Sequence, residues 1–257
     1  MPFFRQKMAL RDAFTLIELL IVTGIISVLA AILLPALSAG RQAALDLKCR
    51  SQLRTVTQAF TSFATETSGT NRGDSEKLSG LFRIEDFQES IYRIHEFWDG
   101  PVASRSAYNV GPPPLLCPGS SARMERRAGI PCSSGAVTPQ RSVSIGFNKR
   151  LETRTQVING VTFGVKVYLG EKILQYPDVP LLLDIDGETA TSRGVVPYYS
   201  APPLPKETGP DIYLNGKYWF PSFRHRKSLN VGFVGGHVLS SRQPLSEPWW
   251  RWNYQPN

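Results

Sequence analysis

The feature that most constrains this chain is a long apolar run near its N-terminus, from Phe14 to Leu37. At about 1.5 Å per residue, a helix over this run is long enough to cross a hydrocarbon core of roughly 30 Å. The run holds a single charged residue, Glu18, and a short basic segment, residues 1–13, precedes it. The sequence therefore predicts a membrane-spanning helix at residues 14–37.

A cleaved signal peptide has a similar outline, but two properties of this run argue against one. The run is longer than the apolar core of about 7–15 residues that is typical of a signal peptide. Glu18 lies inside it, and a carboxylate within a bilayer costs several kcal/mol unless it finds a partner. A carboxylate at this place therefore predicts a functional role.

An apolar stripe continues the helical pattern beyond the membrane segment. Its members recur at spacings of four, three, four and three residues and are Cys49, Leu53, Val56, Phe60 and Phe63. We expect Pro35 to kink the helix without ending it. One helix is predicted from about Phe14 to about Ala64, in which residues 38–64 form an amphipathic continuation that packs on a globular domain.

Strand patterns dominate the part of the chain that follows. Two β-rich runs flank Asn159-Gly160, a strong two-residue hairpin signal. Residues 181–186 are typical of a buried strand, and Gly235-Gly236 can supply the positive φ angles of a second hairpin. A short helix is expected within residues 81–98. These patterns predict an α+β domain of antiparallel strands over residues 65–257.

Residues 13–18, Ala-Phe-Thr-Leu-Ile-Glu, resemble the prepilin processing motif of type IV pilins and type II secretion pseudopilins. The resemblance implies that residues 1–13 are a leader, that a prepilin peptidase cuts between Ala13 and Phe14, and that Phe14 is then methylated on its amine. Glu18 would be the fifth mature residue, whose carboxylate pairs in the family with the terminal amine of a neighbouring subunit. The family usually has Gly where this chain has Ala13, and we expect slower cleavage at worst.

The C-terminal part resembles a second family signature, H-X9-DG. His225 is followed by nine residues and then by Gly235-Gly236, so Gly235 replaces the aspartate. The glycine pair serves a hairpin as well as Asp-Gly does. The likeness extends loosely to Cys49, with LRTV soon after it, and to Cys117-Pro118.

The three cysteines, Cys49, Cys117 and Cys132, allow one disulfide and one free thiol. A bridge from Cys117 to Cys132 would close a short loop and contribute about 3 kcal/mol. A bridge from Cys49 to Cys117 would instead tie the helix to the body, and the sequence favours neither pairing. No Cys/His spacing typical of zinc is present, so no zinc site is predicted.

Candidate sites for chemistry are few. Asp184, Asp186 and Glu188 alternate, so on a strand they would project from one face. Calcium, which some major pseudopilins bind in a C-terminal loop, is the one cofactor considered for them, and we expect these groups to face water instead. The sequence lacks the nucleophile-elbow, metalloprotease and phosphate-loop motifs, and His225 is expected to be a hydrogen-bonded residue at a strand entry. The chain is therefore predicted not to be an enzyme and to need no cofactor.

Two features bear on partners. The net charge of +8 comes from scattered Lys and Arg, which favours a solvated basic surface over nucleic-acid binding. The aromatic tail could form a partner or glycan surface or could cover the sheet, and we favour the cover; it comprises Trp249, Trp250, Trp252 and Tyr254.

The sequence thus predicts a pilin-like structural subunit, a pseudopilin or minor pilin, of a type II secretion or type IV pilus-like filament. It would sit in the bacterial inner membrane as a single-pass protein, with its globular domain in the periplasm, before assembly into the filament. Its expected partners are a prepilin peptidase, other pilin-like subunits and the inner-membrane assembly platform. The alternatives are a fibre-borne binding protein for DNA or glycans and, less favoured, a membrane-anchored enzyme.

Overall fold

A computed structural model describes residues 15–67, 80–92, 116–120, 144–195, 198–204 and 209–254 of the 257-residue chain. The chain divides into two compact units, Met1–Ala44 and Leu45–Asn257. Within the described residues the helices are α1 (Leu16–Thr67), α2 (Ile84–Tyr92) and α3 (Gly187–Ser192). The strands are β1 (Leu81–Phe82), β2 (Ile145–Asn148), β3 (Thr153–Ile158), β4 (Val161–Lys166), β5 (Leu169–Gly170), β6 (Pro180–Asp184), β7 (Tyr199–Ser200), β8 (Leu229–Phe233) and β9 (Val238–Ser241).

Helix α1 is one continuous helix of 52 residues, and Pro35 lies inside it without ending it, as expected. Its start is fixed by a reciprocal capping box. The Thr15 hydroxyl accepts a hydrogen bond from the Glu18 amide at 3.3 Å, and the Glu18 carboxylate accepts one from the Thr15 amide at 2.9 Å. Glu18 therefore has a local structural role that the sequence prediction did not include.

In the first unit, α1 is long and apolar enough to cross a membrane, judged by its length and composition. Its apolar side chains are exposed around the whole helix and include Leu16, Ile17, Leu20, Ile25, Val28, Leu29, Ile32 and Leu37. A helix that is hydrophobic on all sides requires an apolar environment such as lipid or a bundle of similar helices. The first unit is thus a candidate membrane-spanning helix.

In the second unit, the predicted apolar stripe of α1 is buried, and its five members from Cys49 to Phe63 all belong to the core. Phe60 packs edge-on against Phe82 and Phe87, with ring centroids 6.0 and 5.1 Å away. The helix also approaches β8 closely, since a Cβ atom on Gly232 would lie 2.8 Å from the Thr57 methyl group. The core of the second unit therefore lies between α1 and the sheet.

Within the described part of the chain the main sheet has five strands, in the order β7-β2-β6-β8-β9. All neighbours pair antiparallel except β2 and β7, which are parallel. Two small sheets, β1-β5 and β3-β4, accompany it. The predicted α+β class is confirmed, and β6, which is buried throughout, is the central strand.

The two predicted hairpins differ in their turns. Asn159 and Gly160 both have positive φ, 52° and 77°, as a two-residue turn between β3 and β4 requires. Between β8 and β9 only Gly236 has a positive φ, 82°. Gly235 is needed for space instead, because a Cβ atom there would lie 2.6 Å from the Cβ of Pro177. The aspartate of the family signature therefore has no room at this position.

The aromatic tail largely covers the core, as favoured from the sequence. Trp252 and Tyr254 are buried, and the Trp252 indole donates a hydrogen bond to the Pro244 carbonyl oxygen at 3.1 Å. Trp250 packs edge-on against Phe233, with ring centroids 5.1 Å apart. Trp249 differs from the others and is exposed.

Candidate functional site

Four chemically active side chains from distant parts of the chain meet in the second unit. They are Cys49, Cys117, Asp184 and His225, which we call the Cys/Asp/His cluster. One potential ligand atom from each residue lies within 4.8 Å of those of the other three, and all four residues are buried. Among the described residues, this is the group of Cys, His, Asp and Glu side chains with the geometry to hold a metal ion.

Each of the four residues lies in a different part of the chain. Cys49 lies on the buried face of α1, and Asp184 is the last residue of the central strand β6. Cys117 belongs to the short segment 116–120. His225 precedes β8 and pairs with Ser228 across a turn. The cluster thus lies where α1, the sheet and two connecting segments come together.

The atoms of the cluster are close enough to interact directly. Cys117 Sγ lies 3.0 Å from His225 Nε2, and Cys49 Sγ lies 3.4 Å from Asp184 Oδ1. His225 Nε2 also lies 3.6 Å from Asp184 Oδ2. Nε2 of the imidazole, the two sulfur atoms and the carboxylate therefore face one another.

The segment that carries Cys117 is shaped around the cluster. The Cys117 amide donates a hydrogen bond to the Ser144 hydroxyl at 2.6 Å, and the Gly119 amide donates one to Cys117 Sγ at 3.4 Å. A Cβ atom on Gly119 would lie 3.0 Å from His225 Cε1. Only glycine allows so close an approach of this backbone to the imidazole without a shift of the ring.

The turn after His225 is strained. Arg226 and Lys227 both have positive φ, 51° and 63°, although neither is glycine. Each residue in this conformation costs about 1–2 kcal/mol. Such strain persists only where the surrounding structure determines it, and it concentrates at functional sites. The turn presents His225 to the cluster at the cost of backbone strain.

The pKa values of the four residues in the Cys/Asp/His cluster are shifted in different directions. A hydrogen bond with Cys49 and another with His225 lower the pKa of Cys117 to about 4. The same contact with Cys117, together with burial, raises the pKa of Cys49. Burial raises the pKa of Asp184 to about 7, against the opposing charge of Arg224. Burial alone would lower the pKa of His225, but Cys117 and Asp184 reverse this and raise it.

Charged groups surround the cluster on two sides. The Arg224 guanidinium lies 3.8 Å from the Asp184 carboxylate and donates to the carbonyl oxygens of Ser144 and Ile185. The Asp46 carboxylate faces Nδ1 of His225 at 3.6 Å and accepts a hydrogen bond from Asn230 at 3.0 Å. The imidazole thus has a carboxylate behind it and the two sulfur atoms in front.

The acidic residues considered for calcium do not share a strand face. Strand β6 ends at Asp184, and the chain turns into α3 at Gly187, so the expected alternation is wrong. Asp186 instead caps α3 by accepting hydrogen bonds from the amides of Glu188 and Thr189, both at 3.1 Å. Glu188 is exposed in the first turn of α3, and Asp184 is buried in the Cys/Asp/His cluster.

The remaining predicted residues have three different outcomes. Ala13, Phe14 and Cys132 lie outside the described residues. Cys49 and Cys117 are free thiols, so the structure has no bridge between them. His225 lies at a strand entry, as expected, but its ring belongs to the cluster.

Sequence reasoning missed the cluster because its members lie far apart along the chain. Cys49 and Asp184 are 135 residues apart, and Cys117 and His225 are 108 residues apart. Motif spacing is informative only when ligands are close in sequence. One signal was available, since Asp184 follows three leucines in a strand predicted to be buried, and a buried carboxylate needs a partner.

Comparisons with known proteins add no relative to these observations. No family model, no curated protein and no solved structure matched this chain. The resemblance to prepilin-type proteins therefore rests on the residues of the sequence itself.

Proposed function

We propose that this chain is a prepilin-type structural subunit, a pseudopilin or minor pilin, that assembles into a type II secretion or type IV pilus-like filament. The observation that carries the proposal is α1. One helix of 52 residues is apolar and exposed on all sides as far as Leu37, and one face of it is buried in the core of the second unit. The processing motif at residues 13–18 directly precedes and opens this helix.

The proposed mechanism is physical and not catalytic. Residues 14–37 hold the subunit in the inner membrane, where a prepilin peptidase cuts after Ala13 and methylates Phe14. The helix then leaves the lipid and packs against like helices, where van der Waals contacts and interhelical polar pairs replace lipid contacts. The body in the periplasm remains at the filament surface, and the assembly platform drives the transfer.

Glu18 links the leader to the filament in this proposal. In the isolated chain its carboxylate is held by Thr15 at the first turn of α1. A neighbouring subunit would bring the positively charged amine of its own Phe14 to the same carboxylate. The pair would satisfy both charges in an apolar filament core, where either charge alone would be costly.

The small residues of the first unit support close packing of such helices. Among the described residues, apart from the neighbouring turns of α1 itself, a Cβ atom placed on Gly24 or Gly40 would meet nothing within 4 Å. Small residues let two helix backbones approach closely within a membrane or bundle. Gly24 thus marks one face where a second helix could pack tightly against α1.

The decisive experiment is the N-terminal mass of the chain after co-expression with a prepilin peptidase. We expect a chain that begins at Phe14 and carries one added methyl group. Ala13→Gly restores the usual family residue and should be cut at least as fast as the natural chain. Ala13→Leu is the matched control, because its larger side chain should slow or stop the cut. An uncut natural chain, or a cut near residue 40, would contradict the proposal.

A further inference from the structure

The protein groups around Asp184 compensate its buried carboxylate poorly. Its side chain is fully buried at the end of β6. Among the described residues its side-chain contacts are one S–H···O hydrogen bond from Cys49 at 3.4 Å, which is weak, and longer contacts with N–H groups: 3.4 Å to the backbone amide of Asn230, 3.6 Å to His225 and 3.8 Å to Arg224. A buried carboxylate without a short, strong hydrogen bond is costly, and buried charges in proteins are normally paired or bound to metals.

We propose that Cys49, Cys117, Asp184 and His225 bind one Zn²⁺ ion. In a tetrahedral site with bonds of about 2.0–2.3 Å, neighbouring ligand atoms lie about 3.3–3.8 Å apart. Three contacts of the cluster, at 3.0, 3.4 and 3.6 Å, are close to these values, the last two being made by different oxygens of the Asp184 carboxylate. With one ligand atom from each residue, all four atoms lie within 4.8 Å of one another. Binding of an ion at their centre would bring closer together any pair of ligand atoms that lies farther apart than the tetrahedral spacing, up to the 4.8 Å limit.

The donor set selects the kind of ion. Two thiolates, one imidazole and one carboxylate suit a borderline-soft cation, and tetrahedral sites rich in sulfur and nitrogen are typical of zinc. Hard cations such as calcium and magnesium prefer all-oxygen sites of six or more ligands. Four protein ligands that are all buried leave no open position for a substrate, so the site is structural.

The groups around the cluster complete such a site. A zinc-bound imidazole normally donates its other N–H group to a carboxylate or carbonyl, which fixes the ring. The Asp46 carboxylate lies 3.6 Å from Nδ1 of His225, slightly beyond hydrogen-bond length, and is thus on the side of the ring where it could take this role while Nε2 faces the metal. Two thiolates, one carboxylate and Zn²⁺ leave one net negative charge, and the Arg224 guanidinium beside Asp184 offsets it.

The position of the ion gives it a mechanical role. Its ligands come from α1, segment 116–120, the end of β6 and the start of the turn that precedes β8. One ion would therefore fasten the helix to two neighbouring strands of the main sheet and hold the strained turn at Arg226 and Lys227 in place. The proposal of a zinc site is independent of the proposal of filament assembly, because all four ligands belong to the second unit.

The first test is the metal content of the full-length chain, purified in detergent without chelators. We expect one zinc ion per chain by elemental mass spectrometry. After exchange with Co²⁺, we expect the visible bands of tetrahedral cobalt and an ultraviolet band of thiolate-to-cobalt charge transfer. A metal-free chain with a Cys49–Cys117 disulfide, or bound cobalt without the charge-transfer band, would overturn the proposal.

Variants separate metal binding from a merely structural role. His225→Gln and Cys117→Ser should lose the metal, whereas the matched controls His237→Gln and Cys132→Ser should keep it. Asp46→Asn touches no metal and should lower the affinity about 10–100-fold without changing the cobalt spectrum. A control that loses metal as fully as its partner variant would contradict the assignment.

One substitution keeps the test valid if the variants that lose a ligand fail to fold. His225→Cys exchanges one zinc ligand for another, so the site should still bind cobalt, now with three thiolates. The charge-transfer band should therefore grow relative to the visible bands. An unchanged band on a folded chain that still binds cobalt would show that residue 225 is not a ligand and would refute the site.

Discussion

The two regions of α1 place very different demands on the sequence. From Leu16 to Leu37 the helix is largely apolar and exposed, and most of its positions would accept any large apolar residue. From Leu45 to Thr67 one face is buried in a core, and particular atoms such as Cys49 Sγ contact particular partners. A single helix thus combines a region defined by composition with a region defined by contacts. Four experiments can test this contrast.

Substitutions in the core should show the contrast most strongly. Phe60→Ala removes a ring that packs on Phe82 and Phe87 and should lower the free energy of unfolding of the second unit by about 3–5 kcal/mol. Leu29→Ala in the first unit removes an exposed side chain and should change the free energy of unfolding of the second unit by less than about 0.5 kcal/mol. Tryptophan fluorescence is the suitable probe, since all five tryptophans lie beyond residue 97. Equal effects would contradict the contrast.

Metal removal should weaken the second region alone. If Zn²⁺ binds only the folded chain, free zinc at a hundred times its dissociation constant stabilises the second unit by about 2.7 kcal/mol. A chelator should abolish this gain and lower the fluorescence-detected melting temperature. The helix signal of the first unit should not respond to zinc, because the four ligands lie outside that unit. Zinc-independent melting of the second unit would argue against a structural ion.

A buried carboxylate in the second unit should make its stability depend on pH. Burial raises the pKa of Glu152, but ion pairs with Lys149 and Lys166 outweigh this and hold the pKa below its usual value. The stabilisation is therefore present above the unfolded pKa of about 4.3 and is lost as the pH falls through the lower, folded value. Glu152→Gln should cost about 1.5–3 kcal/mol at pH 7 and little at acid pH. Chemical unfolding at several pH values measures both, and a cost that does not vary with pH would refute the ion-pair explanation.

The same substitution should have opposite effects in the two regions. Gly160 has a φ of 77° in the β3–β4 turn with open space around it, so Gly160→Ala should cost about 1–2 kcal/mol through backbone strain alone. Gly24 lies inside α1 with no atom near its Cβ position, so Gly24→Ala should stabilise the helix by about 0.5–1 kcal/mol. Thermal melting followed by circular dichroism for Gly24 and by fluorescence for Gly160 would test both signs.

What could be predicted from the sequence follows the same division. Local patterns sufficed for the length of α1, its buried stripe and the Asn159-Gly160 hairpin, because each depends on residues a few positions apart. The need for glycine at position 235 could not be predicted from the sequence, because it arises from the close approach of Pro177, which lies far away in sequence. The predicted placement of Asp184, Asp186 and Glu188 on one strand face was wrong, because the strand ends at Asp184 and a helix begins at Gly187.

The Cys/Asp/His cluster could not be predicted from the sequence for a further reason. Each residue has an ordinary explanation when taken alone, and only the paired strands of the sheet bring Asp184 of β6 next to the turn before β8. The resemblance to the prepilin signature did draw attention to Cys49, Cys117 and His225, but it gave them no common role. Distance in sequence, and not the choice of residue type, hid the site.

The order of strands in the main sheet has a consequence for biosynthesis. Strand β8 lies inside the sheet between β6 and β9, yet it is nearly the last strand to be made. The sheet cannot close over the buried face of α1 until most of the chain has left the ribosome, and such long-range pairing is slow. Until then the nascent chain exposes apolar surface that invites aggregation. A chaperone that shields this face during translation would relieve a difficulty that the topology itself creates.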